Sequence, residues 1–349
     1  MTLKETLGKI KPLDDSSMEA ARKRWDSIAH PLHSLGLMED LVVQMAGIGR
    51  SQEIHIEKKA LVSMCADNGV VEEGVTQSGQ EITAIVAENF LKNQATSSLF
   101  CKQTGADLIP IDIGMVTDTI VPKRKVAYGT KNMAKEPAMT YEQAVQAIEV
   151  GIQVTEELKE KGYGLFATGE MGIGNTTTSS AMAAVFLDQP VEAMTGRGAG
   201  LSSAGLDKKI WAIETAIQKH RPDPADPVDV LAKVGGFDIG GMMGVFLGGA
   251  ALGIPVVIDG FISCVAALAA VRLCPTAKDY MIASHVSQEP AAQMLLDALE
   301  KDAFLHGHMR LGEGTGAVAL FPLLDMAVDV YEKMSTFCDN DMEEYKPLD

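Results

Sequence analysis

The stretch Gly164-Leu-Phe-Ala-Thr-Gly-Glu-Met-Gly-Ile-Gly-Asn-Thr-Thr-Thr-Ser-Ser180 decides the fold. It opens on the short apolar run Gly164–Thr168, passes through a glycine-rich loop and enters the predicted helix Thr176–Phe186. An apolar run without polar alternation is typical of a strand buried on both faces, as in a parallel sheet that helices cover. The stretch therefore predicts one strand–loop–helix unit of an α/β protein.

The same unit recurs along the chain. Further short apolar runs predict strands, and amphipathic or apolar helical segments lie between them. This alternation predicts a doubly wound α/β fold with a mainly parallel sheet, whose ligands bind beyond the carboxyl ends of the strands. The other predicted strands are Ala60–Met64, Asp107–Ile113, Ile254–Asp259 and Asp279–Ser284, and the other helices are Glu81–Leu91, Thr140–Lys159, Leu206–Lys219 and Gly240–Leu252.

Both ends of the chain are predicted to be helical. Met18–Ile28 and Gly36–Met45 carry apolar residues at helical spacing, and Gly316–Met334 indicates a long C-terminal helix. We therefore expect a smaller helical domain built from the N- and C-terminal segments. Its expected parts are residues 1–58 and 301–349, the latter with the Glu313 loop, and residues 59–300 form the expected large domain.

Composition and charge exclude several classes of protein. The chain has 349 residues, 46% of them hydrophobic, and a net charge of −17 that would repel a nucleic-acid backbone. Its five cysteines are scattered without a C-x-x-C pair, so neither a disulfide framework nor a zinc ribbon is indicated. Met1–Asp15 lacks the apolar core of a signal peptide, and apolar stretches such as Val245–Ile258 are short and broken by glycine. We expect a cytoplasmic protein that binds neither nucleic acid nor membrane.

The loop within the opening stretch has the composition of a phosphate site. Gly172 and Gly174 allow a ligand to approach the backbone closely, and Asn175 or Thr176 can cap the helix that follows. The free N–H groups at that helix start attract anions. The loop is not G-x-G-x-x-G and no G-K-[ST] follows, which argues against a dinucleotide site or a P-loop. An ordinary capped turn is the alternative interpretation.

Two further loops provide groups that suit a phosphorylated sugar. One contains Arg197, Lys208 and Lys209, which could neutralise a phosphate, although such lysines are more often solvated. The other ends a strand in Asp259 and Gly260, which could contact a sugar or the backbone of a ligand.

Carboxylates also occur in two other glycine-rich segments. Met64–Gln80 gathers acids, amides and hydroxyls after a buried strand, and a solvated loop is the alternative there. Glu313 lies between two glycines just before the C-terminal helix, a position that by itself is typical of an exposed charge. His306 and His308 lie two residues apart without a third ligand nearby in the sequence, so no metal site is predicted.

Taken together, these segments closely resemble the nicotinate-nucleotide–dimethylbenzimidazole phosphoribosyltransferase family of cobalamin biosynthesis. The matching stretches run in the family's order from about residue 30 to 335, nearly the whole chain. They are His30-Pro-Leu-His-Ser-Leu-Gly36, Cys65-Ala-Asp-Asn-Gly-Val-Val-Glu-Glu-Gly74, Gly169–Thr177, Gly196–Leu201, Lys233-Val-Gly-Gly-Phe-Asp-Ile239, Ile258-Asp-Gly-Phe-Ile-Ser263, Ala283-Ser-His-Val-Ser-Gln-Glu-Pro290 and Arg310-Leu-Gly-Glu-Gly-Thr-Gly316.

The resemblance implies a Rossmann-like core, no metal or redox cofactor, and a homodimer, with a heterodimer of paralogous chains as the alternative. It implies that Glu313 is the catalytic base and Glu170 the second active-site carboxylate. The residues implied to bind the aromatic base are Ser78, Gln80 and Leu311. Those implied to bind the phosphoribosyl group are Gly172, Gly174, Asn175, Thr176, Gly198, Lys209, Asp259, Gly260 and Ser287.

The implied reaction transfers ribose 5-phosphate from nicotinate mononucleotide to 5,6-dimethylbenzimidazole or a related base, giving nicotinate and an α-ribazole phosphate-type nucleotide. Glu313 would take a proton from the attacking base, and Glu170 would stabilise positive charge on the ribose. Two stretches depart from the family, since His30–Gly36 replaces K-P-x-G-S-L-G and Ala66–Gly69 replaces A-D-H-G. Because both departures could alter acceptor choice, a phenol- or p-cresol-accepting enzyme is an alternative. A non-catalytic partner subunit is another.

Overall fold

The structure, a computed structural model, describes residues 1–198 and 200–345. Within these residues, five parallel strands form one sheet in the order β2-β1-β3-β4-β5. Each lies where an apolar run predicted a strand, so the predicted doubly wound α/β fold is confirmed. The strands are β1 Lys59–Ala66, β2 Asp107–Gly114, β3 Leu165–Met171, β4 Val256–Ile258 and β5 Met281–Ala283.

Helices cover both faces of the sheet. Phe261–Leu273 has no counterpart among the predicted helices, because it is apolar on nearly every side and such a run resembles a buried strand as much as a helix. In chain order the helices are α1 Leu3–Leu7, α2 Asp15–Ser27, α3 Leu37–Gly49, α4 Glu81–Leu91, α5 Thr96–Thr104, α6 Tyr141–Glu160, α7 Asn175–Leu187, α8 Val191–Met194, α9 Ser203–His220, α10 Pro227–Val234, α11 Phe237–Leu252, α12 Phe261–Leu273, α13 Ala292–Ala298 and α14 Thr315–Lys333.

The order of the strands determines where a ligand can bind. β1 lies inside the sheet and pairs with β2 on one side and with β3 on the other. The chain therefore reverses its direction across the sheet between β2 and β3. At such a switch point the loops that leave neighbouring strands diverge and open a crevice beyond their carboxyl ends.

Alternate residues of β1 pack into different cores. Ala60, Val62 and Met64 belong to the core that includes the inner faces of α6 and α11, whereas Leu61 packs into the core with α2, α3 and α14. Small residues allow α6 and α11 to pack closely, since a Cβ added at Gly151 would lie 2.9 Å from the Cα of Gly244. The strands are therefore buried on both sides, which explains their unbroken apolar sequences.

The N- and C-terminal helices pack together on one face of the sheet. The rings of Trp25 and Tyr331 lie 5.4 Å apart, and the N–H of Phe337 donates to the carbonyl of Ser27 at 2.9 Å. These helices share a core with sheet residues such as Leu61. The predicted domain boundaries after residues 58 and 300 stay a prediction.

Candidate active site

A cavity of about 290 Å³ lies at the carboxyl end of the sheet, beside the switch point between β1 and β3. Residues 75–78, the loops after β3, β4 and β5, and the turn before α14 form its walls. Of the predicted site residues, Gln80 and Lys209 do not line it. Those that do are Ser78, Glu170, Gly172, Gly174, Asn175, Thr176, Gly198, Asp259, Gly260, Ser287, Leu311 and Glu313.

Glu313 lies in a turn of left-handed backbone. Its φ is +60°, and the φ values of Gly312 and Gly314 are +85° and +84°. A left-handed conformation costs a non-glycine residue roughly 1–2 kcal/mol, so the surrounding structure must hold Glu313 in place. The N–H of Glu313 donates to Glu170 Oε1 at 3.2 Å, which fixes this turn against the end of β3.

Asp259 secures the other side of the same turn. Its Oδ2 accepts a hydrogen bond from the N–H of Gly314 at 3.2 Å, and its Oδ1 accepts from Gly316 and Ala317 at 2.8 and 3.0 Å. The carboxylate therefore caps the start of α14, where the helix dipole favours negative charge. The predicted contact of Asp259 with the sugar stays a prediction, and this capping role was not foreseen.

Ser97 holds the side chain of Glu313. Its hydroxyl donates to Glu313 Oε2 at 3.2 Å, and its backbone N–H lies 3.5 Å from the same oxygen. Burial raises the pKa of Glu313, while these two hydrogen bonds lower it. Ser97 is not among the predicted site residues, because it lies in the first turn of the short helix α5, which apolar periodicity does not reveal.

Glu170 lies near the end of β3 and belongs to a buried polar network. The Asn175 amide donates to Glu170 Oε2 and, at 2.9 Å, to Asp238 Oδ2. Burial raises the pKa of Glu170 to about 8, and the nearby Asp238 carboxylate contributes to the rise. Burial likewise raises the pKa of Asp238 to about 6. Asp238 belongs to the family-like segment Lys233–Ile239 but is not among the predicted site residues.

The wall at the start of α7 is suited to an anion. Lys209 is fully buried, and its Nζ donates to Thr176 Oγ1 at 2.9 Å and to the carbonyl of Gly196 at 3.1 Å. Burial lowers the pKa of Lys209 to about 8. Two of the three hydrogens of this ammonium are used in these bonds, and the predicted contact of Lys209 with the phosphoribosyl group stays a prediction. Gly198, with φ +52°, brings bare backbone next to this pair, since a Cβ there would lie 3.0 Å from Thr176 Oγ1.

The other two candidate cations are used differently. The Arg197 guanidinium lines the cavity but donates to the carbonyl of Leu201 at 2.8 Å and to Ser203 Oγ at 3.2 Å, so it holds its own loop. Lys208 is exposed, in agreement with the solvated alternative for that residue. Lys209 is therefore the buried cation of this segment.

Part of the cavity lining is apolar. Leu311 and Ser78 lie at its exposed rim, and Phe261 and Ile262 form part of its wall. Gln80 lies outside the lining, where its Nε2 donates to the backbone carbonyl of Asn68 at 3.3 Å. The predicted contact of Gln80 with the aromatic base stays a prediction.

Neither departure from the family pattern lines the cavity. His30 packs edge-on against Trp25 at 5.9 Å, and its Nδ1 lies 2.9 Å from Ser34 Oγ. Asn68 lies beneath the cavity floor, where Thr178 Oγ1 donates to its Oδ1 at 3.4 Å. Over residues 1–198 and 200–345, no group of three His, Cys, Asp or Glu side chains could hold a metal ion.

The fold and the site define a class of enzyme. The Glu170 carboxylate of β3 meets the turn that carries Glu313 at the switch point of a parallel sheet, beside a helix N-terminus backed by a buried lysine. Such a cavity suits the transfer of a group from a phosphorylated small molecule.

Comparison with known proteins agrees with this class. Residues 10–341 match the family described as phosphoribosyltransferase. The chain is 49% identical to the nicotinate-nucleotide–dimethylbenzimidazole phosphoribosyltransferase of Acetivibrio thermocellus, over 98% of this chain and 99% of that protein. The enzyme of the same name from Ruminiclostridium cellulolyticum is 47% identical over 100% of both chains. The crystal structure of CobT from Thermus thermophilus superposes with a TM-score of 0.90 at 35% identity, covering 95% of this chain and 100% of that chain.

The chain therefore belongs to the nicotinate-nucleotide–dimethylbenzimidazole phosphoribosyltransferase family. The resemblance inferred from the sequence motifs is confirmed, as is the prediction of a phosphoribosyltransferase.

Proposed function

We propose that this chain transfers the phosphoribosyl group of nicotinate mononucleotide to 5,6-dimethylbenzimidazole, a step in assembling the nucleotide loop of a cobamide. The observation that carries the proposal is the cavity in which the Glu313 turn, Glu170 and the wall around Thr176 meet. The names of the relatives support benzimidazole over a phenolic acceptor. Two positioned carboxylates favour an active enzyme over a non-catalytic subunit.

The donor carries its own leaving group. In nicotinate mononucleotide the ring nitrogen bonded to C1′ is positively charged, and departure of the ring neutralises it. A general acid is therefore unnecessary. The wall formed by Thr176 and Gly198, with Lys209 behind it, would hold the 5′-phosphate and so align C1′ for in-line attack.

The acceptor needs more help than the donor. A neutral benzimidazole nitrogen gains positive charge as it attacks C1′, and removal of the proton from the other ring nitrogen relieves that charge. Glu313 is suited to this role, because burial raises the pKa of its carboxyl and so makes the carboxylate a stronger base. Ser97 holds the carboxylate in place while the proton is taken.

Glu170 would act on the ribose. As the bond to nicotinate breaks, positive charge develops on C1′ and the ring oxygen, and an ionised Glu170 would stabilise it at low cost of reorganisation. Its buried position makes this interaction stronger than it would be in water.

The proposal also covers the oligomeric state of the enzyme and its place in the cell. The family resemblance favours a homodimer without a metal or redox cofactor, working in the cytoplasm. Nothing in the part of the chain that the structure covers is both long and apolar enough to form a membrane-spanning helix.

The test is direct. Purified chain is incubated with nicotinate mononucleotide and 5,6-dimethylbenzimidazole, and nicotinate and the new nucleotide are quantified by chromatography. Separate reactions contain phenol, p-cresol or no acceptor. We expect equal amounts of the two products with the benzimidazole. Nicotinate release that needs no acceptor would indicate hydrolysis and contradict the proposal, and preference for a phenol would overturn the acceptor assignment.

A further inference from the structure

The segment Lys233–Ile239 supplies a carboxylate that the reaction scheme above does not use. Asp238 lies in the first turn of α11 and is fully buried. It approaches the loop after β3 closely, since a Cβ added at Gly172 would lie 2.9 Å from Asp238 Oδ2. A buried carboxylate is costly unless hydrogen bonds or a cation compensate it.

One amide group serves two buried acids. Asn175 Nδ2 has two hydrogens, and it donates to Asp238 Oδ2 and to Glu170 Oε2. The orientation of Glu170 is therefore coupled to Asp238 through the Asn175 side chain. The only other hydrogen bond to the Glu170 carboxylate within the described residues comes from the N–H of Glu313.

The charges that most affect the pKa of these two acids are negative, although Arg197 and Arg310 line the same cavity as Glu170. Asp259 acts on Glu170 from the loop between β4 and α12, Asp67 acts on Asp238 from the residue after β1, and Glu313 lies in the turn before α14. Within residues 1–198 and 200–345, neither Glu170 nor Asp238 forms an ion pair with a lysine, arginine or histidine. Like-charged carboxylates that share a buried site cannot both ionise easily.

We propose that Asp238 is a positioning residue that holds Glu170 through Asn175, and that the Glu170–Asp238 pair retains a proton which leaves when the positively charged ring nitrogen of the donor comes beside it. The inference rests on the proposed function, because that function places the positively charged ring nitrogen of the donor beside Glu170, whereas the ring carboxylate and the phosphate of the donor lie farther from C1′. The proton passes to solvent, and the pair changes from one negative charge to two, the second of which faces the ring nitrogen. In this scheme donor binding itself ionises Glu170 for the reaction.

The direction of the pKa shifts agrees with the geometry. Burial raises the pKa of Glu170 to about 8 and that of Asp238 to about 6, so the pair holds a proton near neutral pH. Removing the Asp238 charge should lower the pKa of Glu170, because a neighbouring negative charge no longer opposes its ionisation.

Asp238→Asn tests both parts of the proposal, since it keeps the shape and an acceptor for Asn175 but removes the charge. Binding of nicotinate mononucleotide is measured by calorimetry at pH 7 in buffers of different ionisation enthalpy, which gives the protons released per site. We expect the wild type to release a substantial fraction of one proton per site when the donor binds. The D238N variant should release about half as much or less. The acid limb of kcat/KM should move to lower pH by about one unit.

Asp226→Asn is the matched control. Asp226 caps α10 outside the cavity lining, and asparagine is an equally good cap, so proton release and the pH profile should stay as in the wild type. Asp238→Ala removes the acceptor as well as the charge. We expect it to lower kcat about ten-fold more than D238N does, with little further change in KM for the donor.

The outcomes separate the two claims. Unchanged proton release and an unchanged acid limb in D238N would overturn the role of Asp238 while leaving the phosphoribosyl transfer intact. If D238N does not fold, Glu170→Gln provides the test of the shared proton. We expect this variant to release no proton when the donor binds, and a release equal to that of the wild type would overturn the shared proton. A wild-type chain that binds the donor but releases no nicotinate would instead overturn the proposed function.

Discussion

The backbone N–H of Glu313 donates a 3.2 Å hydrogen bond to Oε1 of Glu170, although 143 residues separate the two in the chain. One active-site carboxylate thus holds the turn that carries the other. A side chain at Gly312 would collide with Glu170 Oε1, so the turn also depends on glycine at that position. Changes at either acid should therefore affect both the chemistry and the geometry of the site.

Glu313→Gln should abolish turnover while donor binding persists. Glutamine keeps the size of the side chain but cannot take a proton, and loss of a general base typically costs about 10²–10⁴-fold in rate. Nicotinate release and the calorimetric affinity for nicotinate mononucleotide measure the two effects. Glu332→Gln on the exposed side of α14 is the control and should leave both unchanged. Near-normal turnover in E313Q would reject the assignment of the base.

Ser97→Ala should move the acid limb of the pH profile to higher pH. The hydrogen bonds from Ser97 lower the pKa of Glu313, so loss of the hydroxyl raises that pKa and keeps the base protonated over a wider acidic range. The measurement is kcat as a function of pH. Ser98→Ala serves for comparison, because the Ser98 hydroxyl bonds the start of α5 and not Glu313. An equal shift of the acid limb in S98A would mean that the effect comes from destabilising α5 and not from the hydrogen bond between Ser97 and Glu313.

Lys209→Ala should weaken donor binding by about 10- to 100-fold, the usual cost of one hydrogen bond from a charged group. Lys208→Ala, at the exposed neighbouring position, should have little effect. Burial lowers the pKa of Lys209 to about 8, so the wild-type affinity should fall as the pH rises through about 8 and the ammonium is lost. Binding titrations from pH 6 to 9 test this, and equal donor affinity in K209A and wild type would exclude the phosphate contact.

Asp259→Ala should destabilise the protein and slow the reaction together. Its carboxylate accepts three backbone hydrogen bonds at the start of α14, and leaving those N–H groups unpaired should lower the free energy of unfolding by about 3 kcal/mol. Urea denaturation and kcat provide the two measurements. Asp14→Ala removes the cap of α2 at the surface, and we expect a loss of about 1 kcal/mol with kcat unchanged. A stable D259A variant with full activity would contradict the role of Asp259.

Glu170→Gln should stabilise the protein in alkaline buffer. The folded state raises the pKa of Glu170 from 4.5 to about 8, so the folded chain binds more protons than the unfolded chain across this range. The free energy of unfolding therefore falls as the pH rises from about 4.5 towards about 8. Glutamine removes that dependence, and we expect Tm of E170Q to exceed that of the wild type by several degrees at pH 8.5 but not at pH 5. Equal Tm differences at both pH values would argue against a protonated Glu170.

The sequence by itself determined the sheet and the loops that carry the chemistry. Strands buried on both faces are apolar throughout, so runs such as Gly164–Thr168 predict them locally. Close approach of a ligand favours glycine, so the loop up to Asn175 is also recognisable from its own residues. Helix α12 was not predicted although the equally apolar α11 was, because a continuous apolar run by itself does not distinguish a buried helix from a buried strand.

Only the tertiary structure decided which side chains meet. Ser97 reaches Glu313 across 216 residues, and Asn175, which also binds Glu170, reaches Asp238 across 63. Nothing local predicts such pairs, since they depend on the order of strands in the sheet and on the direction in which each loop leaves it. The same geometry turned Asp259 towards the start of α14 and buried Lys209 behind Thr176. Residue types follow from local physics, whereas their partners follow from the way the whole chain is arranged.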